Sequence, residues 1–478
     1  MSFDYNNLIP VLPEIVLLSV ASLVLVLDLF LKQEQRIISY SLAQLGFLGS
    51  ILAVVMTSNA SEQIVFDGSY VRDPMSDVLK VSLLIISMGM FVYAKEFLKR
   101  RDLFKGEFLT LSMFAILGML IMVSSGSFLT LYLGLELLAL CMYALVAFDQ
   151  DSDNGPEAAM KYFVLGALAS GLLLYGISMI YGVTGVLDFA SVNKAIAAGG
   201  IDNIVLVFGL VFLVIGIAFK FGAVPFHMWV PDVYHGSPTA VTMFVGSVPK
   251  IAAFALAIRI LVDGLGALHA DWQGMLAILA VLSMAVGNVI AIAQSNLKRM
   301  LAYSTISHVG FIFLGILAGT SEGYTAAMFY TIVYAIMAVG AFGMIAIMSN
   351  KGFEADQLDD LKGLNQRNPW FAGMMMLLMF SMAGVPPTVG FFAKLFVLDA
   401  VISIDMVWLA LVAVAFSVIG AFYYIRVVKI IYFDKPEDDT PFVAGTDTKI
   451  VFSLNGLSVL ALGLFPTALL SVCTTAIG

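Results

Sequence analysis

Charge is what this chain has least of. Asp, Glu, Lys and Arg make up 12% of its 478 residues and hydrophobic residues 61%, with a mean hydropathy of +0.99. No soluble protein of this length could hide that much apolar surface in a core, so a soluble globular fold is excluded. Cysteine is nearly missing: Cys141 and Cys473 lie in apolar stretches far apart, which gives no disulfide framework and no metal-ligand spacing. Histidine is scarce too. His227 and His235 flank Asp232 in PFHMWVPDVYHGSPTAV, but the spacing matches no zinc signature and no cysteine or second acid completes it. A cytoplasmic-side proton entrance or helix capping fits them better. No haem, iron-sulfur or flavin motif is present, and the longest polar connections, near Lys351 to Pro369 and near Asp434 to Lys449, are too short for a soluble domain. Any catalytic head belongs to another polypeptide. The opening MSFDYNNLIP has neither a basic n-region nor a small-residue cleavage site, so the first span is expected to stay in place.

What the chain does have is apolar runs of about 20 residues, the length that crosses a bilayer as a helix. Fourteen begin near Pro10, Arg36, Pro74, Leu109, Ser127, Ala158, Asn203, Pro238, Trp272, Arg299, Tyr324, Trp370, Met406 and Ile450. The expected fold is an all-α polytopic membrane protein. Seventeen of the 24 Lys and Arg, from Lys32 to Lys449, fall in loops after odd-numbered spans or at the adjoining span ends. Arg72, Lys80, Lys194 and Arg259 fall on the other side. The positive-inside rule then makes the odd loops cytoplasmic and puts both termini outside. The net charge of −9 resides mainly in loops such as DQDSDNGPE and DKPEDDTP, read as solvated acidic turns, and no nucleic-acid partner is expected.

Two spans are interrupted alike. The seventh carries Lys220, a glycine and Pro225 in mid-membrane territory; the twelfth carries Gly384, Pro386, Pro387 and Gly390 before Lys394. Proline removes a backbone donor and clashes with the preceding turn, so each span should split into half-helices, and paired broken spans point to a transport site. Their offset is five spans. An odd offset means opposite entry into the membrane, so spans 4–8 (residues 106–265) and 9–13 (266–435) would form an inverted repeat, preceded by three helices (1–105) and followed by a loop and a fourteenth helix (436–478).

Four ionisable groups lie inside these spans: Glu136, Lys220, Lys250 and Lys394. Each would cost roughly 2.5 to 3.5 kcal/mol facing lipid, so they are expected to face a polar interior. Glu136 and Lys220 make the natural pair of the first repeat. A nearby carboxylate favours a charged lysine and burial a neutral one, so opening and closing such a pair works as a proton switch. A static salt bridge between two helices is the structural alternative. Lys250 follows Pro249 at the centre of the eighth span, roughly 18 Å from either end at 1.5 Å per residue, too deep to snorkel. It has the character of a relay lysine. His308, with Ser304, Thr305 and Ser307, can support a hydrogen-bonded chain toward Lys394, with Tyr303, Tyr330, Tyr334, Tyr423 and Tyr424 as candidates for further lining, although interfacial belts and packing explain most tyrosines in membrane helices. An isolated histidine is as often a satisfied interior residue. Met374, Met375 and Met376 are expected to fill apolar space, and Gly166 and Gly171 to permit close helix packing.

These residues in this order resemble the antiporter-like subunits of respiratory complex I over nearly the whole chain, through LGLELLAL around Glu136, FKFGAVPFHMWVPDVYHGSPTAV around Lys220, QSNLKRMLAYSTISHVG around His308 and GVPPTVGFFAKLFVL around Lys394. PDVYHGSP with a lysine in the twelfth span is similar to the N-type branch; M-type members usually have glutamate there, and L-type members are longer. The resemblance implies a proton-translocating module of an enzyme that oxidises NADH and reduces quinone. It further implies that NADH, FMN, iron-sulfur clusters and quinone sit in other subunits, and that the neighbours are the M-type subunit and small subunits K, J and A in a bacterial inner membrane. It makes Glu136 and Lys220 the charge pair, Lys250 the central relay, Lys394 the exit-side lysine and His308 a connecting group. Multisubunit cation/proton antiporters share this pattern and are the alternative; a membrane subunit that only anchors others is a third reading.

Overall fold

The computed structural model describes residues 5–59, 61–152, 154–199, 204–436 and 444–478. Asn203, expected to open the seventh span, most of the acidic DKPEDDTP stretch, Asp153 of DQDSDNGPE and the first four residues lie outside them.

The chain is helical from end to end: α1 (Leu12–Asp28), α2 (Ile37–Thr57), α3 (Pro74–Arg100), α4 (Gly106–Val123), α5 (Phe128–Val146), α6 (Gly155–Thr184), α7 (Phe189–Gly199), α8 (Ile204–Phe221), α9 (Trp229–Gly236), α10 (Thr239–Gly246), α11 (Val248–Ala257), α12 (His269–Ile292), α13 (Leu297–Leu317), α14 (Ser321–Met348), α15 (Leu364–Arg367), α16 (Pro369–Ala383), α17 (Val389–Ser403), α18 (Val407–Phe433), α19 (Thr446–Leu464) and α20 (Pro466–Ile477). Polar residues set where spans begin. Asp73, Ser127, Asn296, Thr320 and Asn368 each accept a first-turn backbone N–H of the helix that follows, satisfying donors that lipid could not.

Among the described residues, twelve helices are long and apolar enough to cross a membrane. α13 and α14 are buried over almost their whole length and form the centre, whereas only about a third of α6, α18 and α19 is buried. Close approach is built in where α4 crosses α5: a Cβ on Gly118 would stand 2.6 Å from the Gly134 carbonyl oxygen, so larger residues would force the helices apart. Gly166 meets Tyr143 in the same way, but Gly171 is exposed and faces open space, so its expected packing role does not hold. Met374 and Met375 are buried apolar filler, as expected.

Other expectations need correction. The all-α expectation holds, but the connection between α2 and α3 adds a short antiparallel hairpin that was not expected, Gln63–Val65 with Tyr70–Arg72 and Ile64 opposite Val71. The eighth span is broken as well. Pro249 cannot donate to the preceding turn, the helix kinks at Ser247, and after α11 the span ends in a π-helical turn, Ile258–Gly264. Lys80 and Lys298, assigned to loops and span ends for the charge count, are both buried.

Candidate functional site

The seventh and twelfth spans end their first halves in the same manner. α8 stops at Gly222 (φ +78°) and α16 at Gly384 (φ +86°), with a proline following within three residues. Left-handed backbone is nearly free of cost only for glycine, and proline then prevents the helix from resuming. The last carbonyls of each half-helix are left without intrahelical donors, and the helix dipole concentrates partial negative charge there.

A lysine takes one of those carbonyls at each break. Lys250, 1% exposed on α11, donates to the Phe221 carbonyl at 2.8 Å, with its ammonium 5.5 Å from the centre of the Trp229 ring. Lys394 on α17 donates to the Ala383 carbonyl at 2.8 Å and to Ser417 Oγ at 2.9 Å, and lies 5.2 Å from the centre of Phe311. The aromatic faces and the helix ends favour a cation without providing a fixed counter-charge, so the proton is held but not locked in place.

Glu136 and Lys220 are differently placed. Their charges interact across the space between α5 and α8, yet no ion pair joins them among the described residues, and Glu136 Oε1 has no hydrogen-bond partner. Glu136 is only half-buried on a face that exposes Leu129, Leu133 and Leu140. Lys220 borders a narrow cleft with Leu135, Tyr143 and Ser170. The sequence brings this pair near each other; the structure holds it open.

His308 sits in a network of hydroxyls. Its Nδ1 is 2.7 Å from the Tyr330 hydroxyl and its Nε2 3.0 Å from that of Tyr424, which in turn hydrogen-bonds Ser304. The Tyr334 hydroxyl lies 2.7 Å from Thr305 Oγ1 and 3.0 Å from the Gly246 carbonyl oxygen, the latter at the kink one turn before Lys250. Tyr423 donates to Asn288, which donates to Ser307. Four of the five tyrosines expected to line the path therefore join the network, while Tyr303 is partly exposed and stands apart. Hydroxyls and imidazole both donate and accept, so such a network can reverse its hydrogen bonds as a proton passes. Asp232 pairs with Lys161 at 2.8 Å and Arg299 at 3.0 Å, and His235 borders the same small polar cavity.

Several participants escaped sequence reading. Asn288 and Ser417 are ordinary polar residues until the fold sets them beside Tyr423 and Lys394. Glu14 and Lys80 were findable by the rule that singled out Glu136, but both lie close to span ends. They form a buried pair at 2.7 Å, with the Tyr70 hydroxyl 2.8 Å from Lys80 Nζ and 3.0 Å from Glu14 Oε1. Burial and the neighbouring Glu14 carboxylate hold the Tyr70 hydroxyl far above its ordinary titration range.

Comparison with known proteins decides the family. Residues 125–420 match the family described as NADH:quinone oxidoreductase/Mrp antiporter, TM, a stretch that holds all five expected site residues. The chain is 58% identical over 478 residues, 100% of both chains, to NADH-quinone oxidoreductase subunit N of Thioalkalivibrio sulfidiphilus. The chain belongs to the NADH-quinone oxidoreductase subunit N family. Among solved structures, respiratory complex I from Thermus thermophilus with bound aureothin contains a chain that is 30% identical, with a TM-score of 0.84, covering 97% of this chain and 100% of that one. The Mrp complex from a Dietzia species shares the fold, with a TM-score of 0.85 at 20% identity over 99% of this chain and 97% of that one. Subunit N members and Mrp antiporter chains thus share one scaffold, and sequence separates them.

Proposed function

We propose that this chain is a proton-translocating membrane-arm subunit of a bacterial NADH:quinone oxidoreductase. The observation that carries the reading is full-length identity of 58% to a protein named as subunit N of that enzyme. The site supports it: two lysines rest on carbonyls freed by helix breaks, with a hydroxyl and imidazole network between their helices. In this reading Glu136 and Lys220 are the switch, Lys250 the central relay, His308 the connecting group and Lys394 the exit-side lysine. Quinone chemistry elsewhere in the enzyme changes the field along the membrane arm and closes or opens the Glu136 to Lys220 gap. Lys250 then passes its proton toward Lys394. Moving one charge against 100 mV costs about 2.3 kcal/mol, so the step must be driven.

The finer architecture follows from the same reading. Joining α16 with α17 and counting α1 and α19 with α20 gives fourteen spans, with residues 1–105 as a three-helix N-terminal unit, 106–265 and 266–435 as inverted repeats, and 436–478 as the closing loop and helix. The matching glycine-then-proline breaks support the repeat. Both termini lie on the periplasmic side of the inner membrane. FMN, iron-sulfur clusters, NADH and quinone belong to other subunits, and the neighbours are the M-type subunit and the small subunits K, J and A. The half-buried Glu136, on a face of exposed leucines, supports a protein neighbour there, because lipid would leave its carboxylate unsolvated.

The deciding experiment measures proton pumping and NADH-to-quinone electron transfer in membranes carrying Lys250→Ala, with assembly checked first. Loss of pumping together with slowed turnover supports the reading. Normal values for both in an intact complex would sink it.

A further inference from the structure

The loop between α14 and α16, cytoplasmic in the proposed orientation, carries Glu354. Backbone pairing fixes it there: Leu297 N–H donates to the Asp356 carbonyl at 2.5 Å, Leu358 N–H to the Ser295 carbonyl at 2.9 Å, and Asn296 Nδ2 to Asp356 Oδ2 at 2.7 Å. The Glu354 carboxylate is thereby set into a nest of donors from three other elements. Its Oε1 accepts from the Thr239 backbone N–H at 2.9 Å, from the Thr239 hydroxyl, and from Lys298 Nζ at 3.1 Å. Its Oε2 accepts from Arg101 at 3.2 Å. Lys298, 1% exposed, also donates to the Ser237 carbonyl at 2.9 Å, and Arg101 lies 3.8 Å from Asp149.

Thr239 is the first residue of α10, and Lys298 belongs to the first turn of α13. One carboxylate therefore holds the cytoplasmic ends of both helices, and at α10 it meets the positive end of the helix dipole. About 10 Å further in, at the other end of the eight-residue α10, Tyr334 does the same: its hydroxyl bridges the Gly246 carbonyl of α10 and the Thr305 hydroxyl of α13. Tyr334 stands on α14, the helix that runs directly into the loop bearing Glu354. A single piece of chain thus grips α10 and α13 at two levels, and α10 leads through the Ser247 kink straight to Lys250. α10 lies within the first repeat as proposed, and the gripping piece within the second.

We infer that Glu354 is a positioning residue for proton transfer at Lys250, holding α10 in register with α13 so that the second repeat fixes the lysine-bearing span of the first. The inference rests on the proposed pumping role, and its structural half can be tested separately. Two variants, Glu354→Ala and Glu354→Gln, are made in the assembled complex, with Lys250→Ala alongside. The glutamine amide keeps an acceptor for Thr239, so it should act as partial rescue. Hydrogen-deuterium exchange is followed on peptides covering 239–246, with the α12 segment as control. Glu354→Ala is expected to raise exchange in α10 and lower pumping about tenfold, in line with the penalty for misplacing a transfer group, while Glu354→Gln stays within about threefold of wild type. If Glu354→Ala fails to assemble, Glu354→Gln with Thr239→Val gives the same readout. Unchanged α10 exchange overturns the clamp. Raised exchange with normal pumping overturns its role at Lys250, provided Lys250→Ala abolishes pumping. If Lys250→Ala pumps normally as well, the pumping reading itself has failed, whatever α10 does.

Discussion

The two lysine-capped breaks differ in where the lysine comes from. Lys394 shares a span with the carbonyl it holds, across the turn between α16 and α17. Lys250 reaches the Phe221 carbonyl from a different span, itself broken at Ser247. The surroundings differ as well. The first half places bare charges near its break, with Glu136 and Lys220 not in contact, whereas the second gives its lysine the Ser417 hydroxyl and holds a hydroxyl and imidazole network around His308. A charge held by one carbonyl responds strongly to a change of field, because nothing else fixes it. A group set among reversible hydrogen bonds conducts a proton without large movement. On the proposed pumping role, the first half would act as the switch and the second as the wire.

The largest test of that contrast is removal of each lysine. Lys250→Ala and Lys394→Ala should each lower pumping on the order of a hundredfold in complexes that assemble normally on native gels. Equal loss of electron transfer in both would show that switch and wire are coupled; uncoupled turnover in only one would break the parallel. Next come the glycines. Gly222→Ala and Gly384→Ala each force a side chain into left-handed backbone at about 1 to 2 kcal/mol, measurable as a lower unfolding temperature. A Cβ at Gly222 meets Val230 Cγ2 at 2.5 Å, whereas at Gly384 it meets Lys394 Cδ at 2.9 Å. Only Gly384→Ala should therefore slow pumping beyond what its stability loss explains.

Smaller effects probe the wire itself. Tyr424→Phe strips partners from His308 and Ser304, and leaving such groups unpaired costs about 1 to 3 kcal/mol. Tyr423→Phe strips Asn288 but leaves both ring contacts of His308 in place. Pumping rates should fall more for the first, and the reverse order would place the path through Asn288. The smallest effect concerns acid. Burial would push the Glu354 carboxyl up, but Lys298, Thr239 and Arg101 outweigh it and hold it below the usual carboxylate range. Its stabilisation is therefore fully present above that range and lost as pH falls through its lowered value. The difference in melting temperature between wild type and Glu354→Gln should be flat from roughly pH 8 to 6 and shrink only in strong acid.

Much of this was legible in the residues. Pro225 and the Pro386–Pro387 pair announced two breaks because a missing donor acts locally, and an uninterrupted apolar neighbourhood made Glu136, Lys220, Lys250 and Lys394 conspicuous. The break at Ser247 was written in Pro249 but went unread because the apolar run continues through it. The hairpin at 63–72 is too short and too polar to show a strand pattern. Tyr303 could not be told from Tyr424 because both sit on apolar helices.

Sequence alone determined that the chain lives in a membrane, two of the places where its helices break and four of the charges that lie inside. Those are properties of local chemistry against a fixed apolar solvent, so they follow from composition and spacing. Only the tertiary structure decided which carbonyl each lysine holds, that Glu136 and Lys220 stand apart, and that Glu354 grips two helices. Such contacts join residues as far as 253 positions apart, as between Arg101 and Glu354, and their partners are set by how helices pack, which no single span encodes.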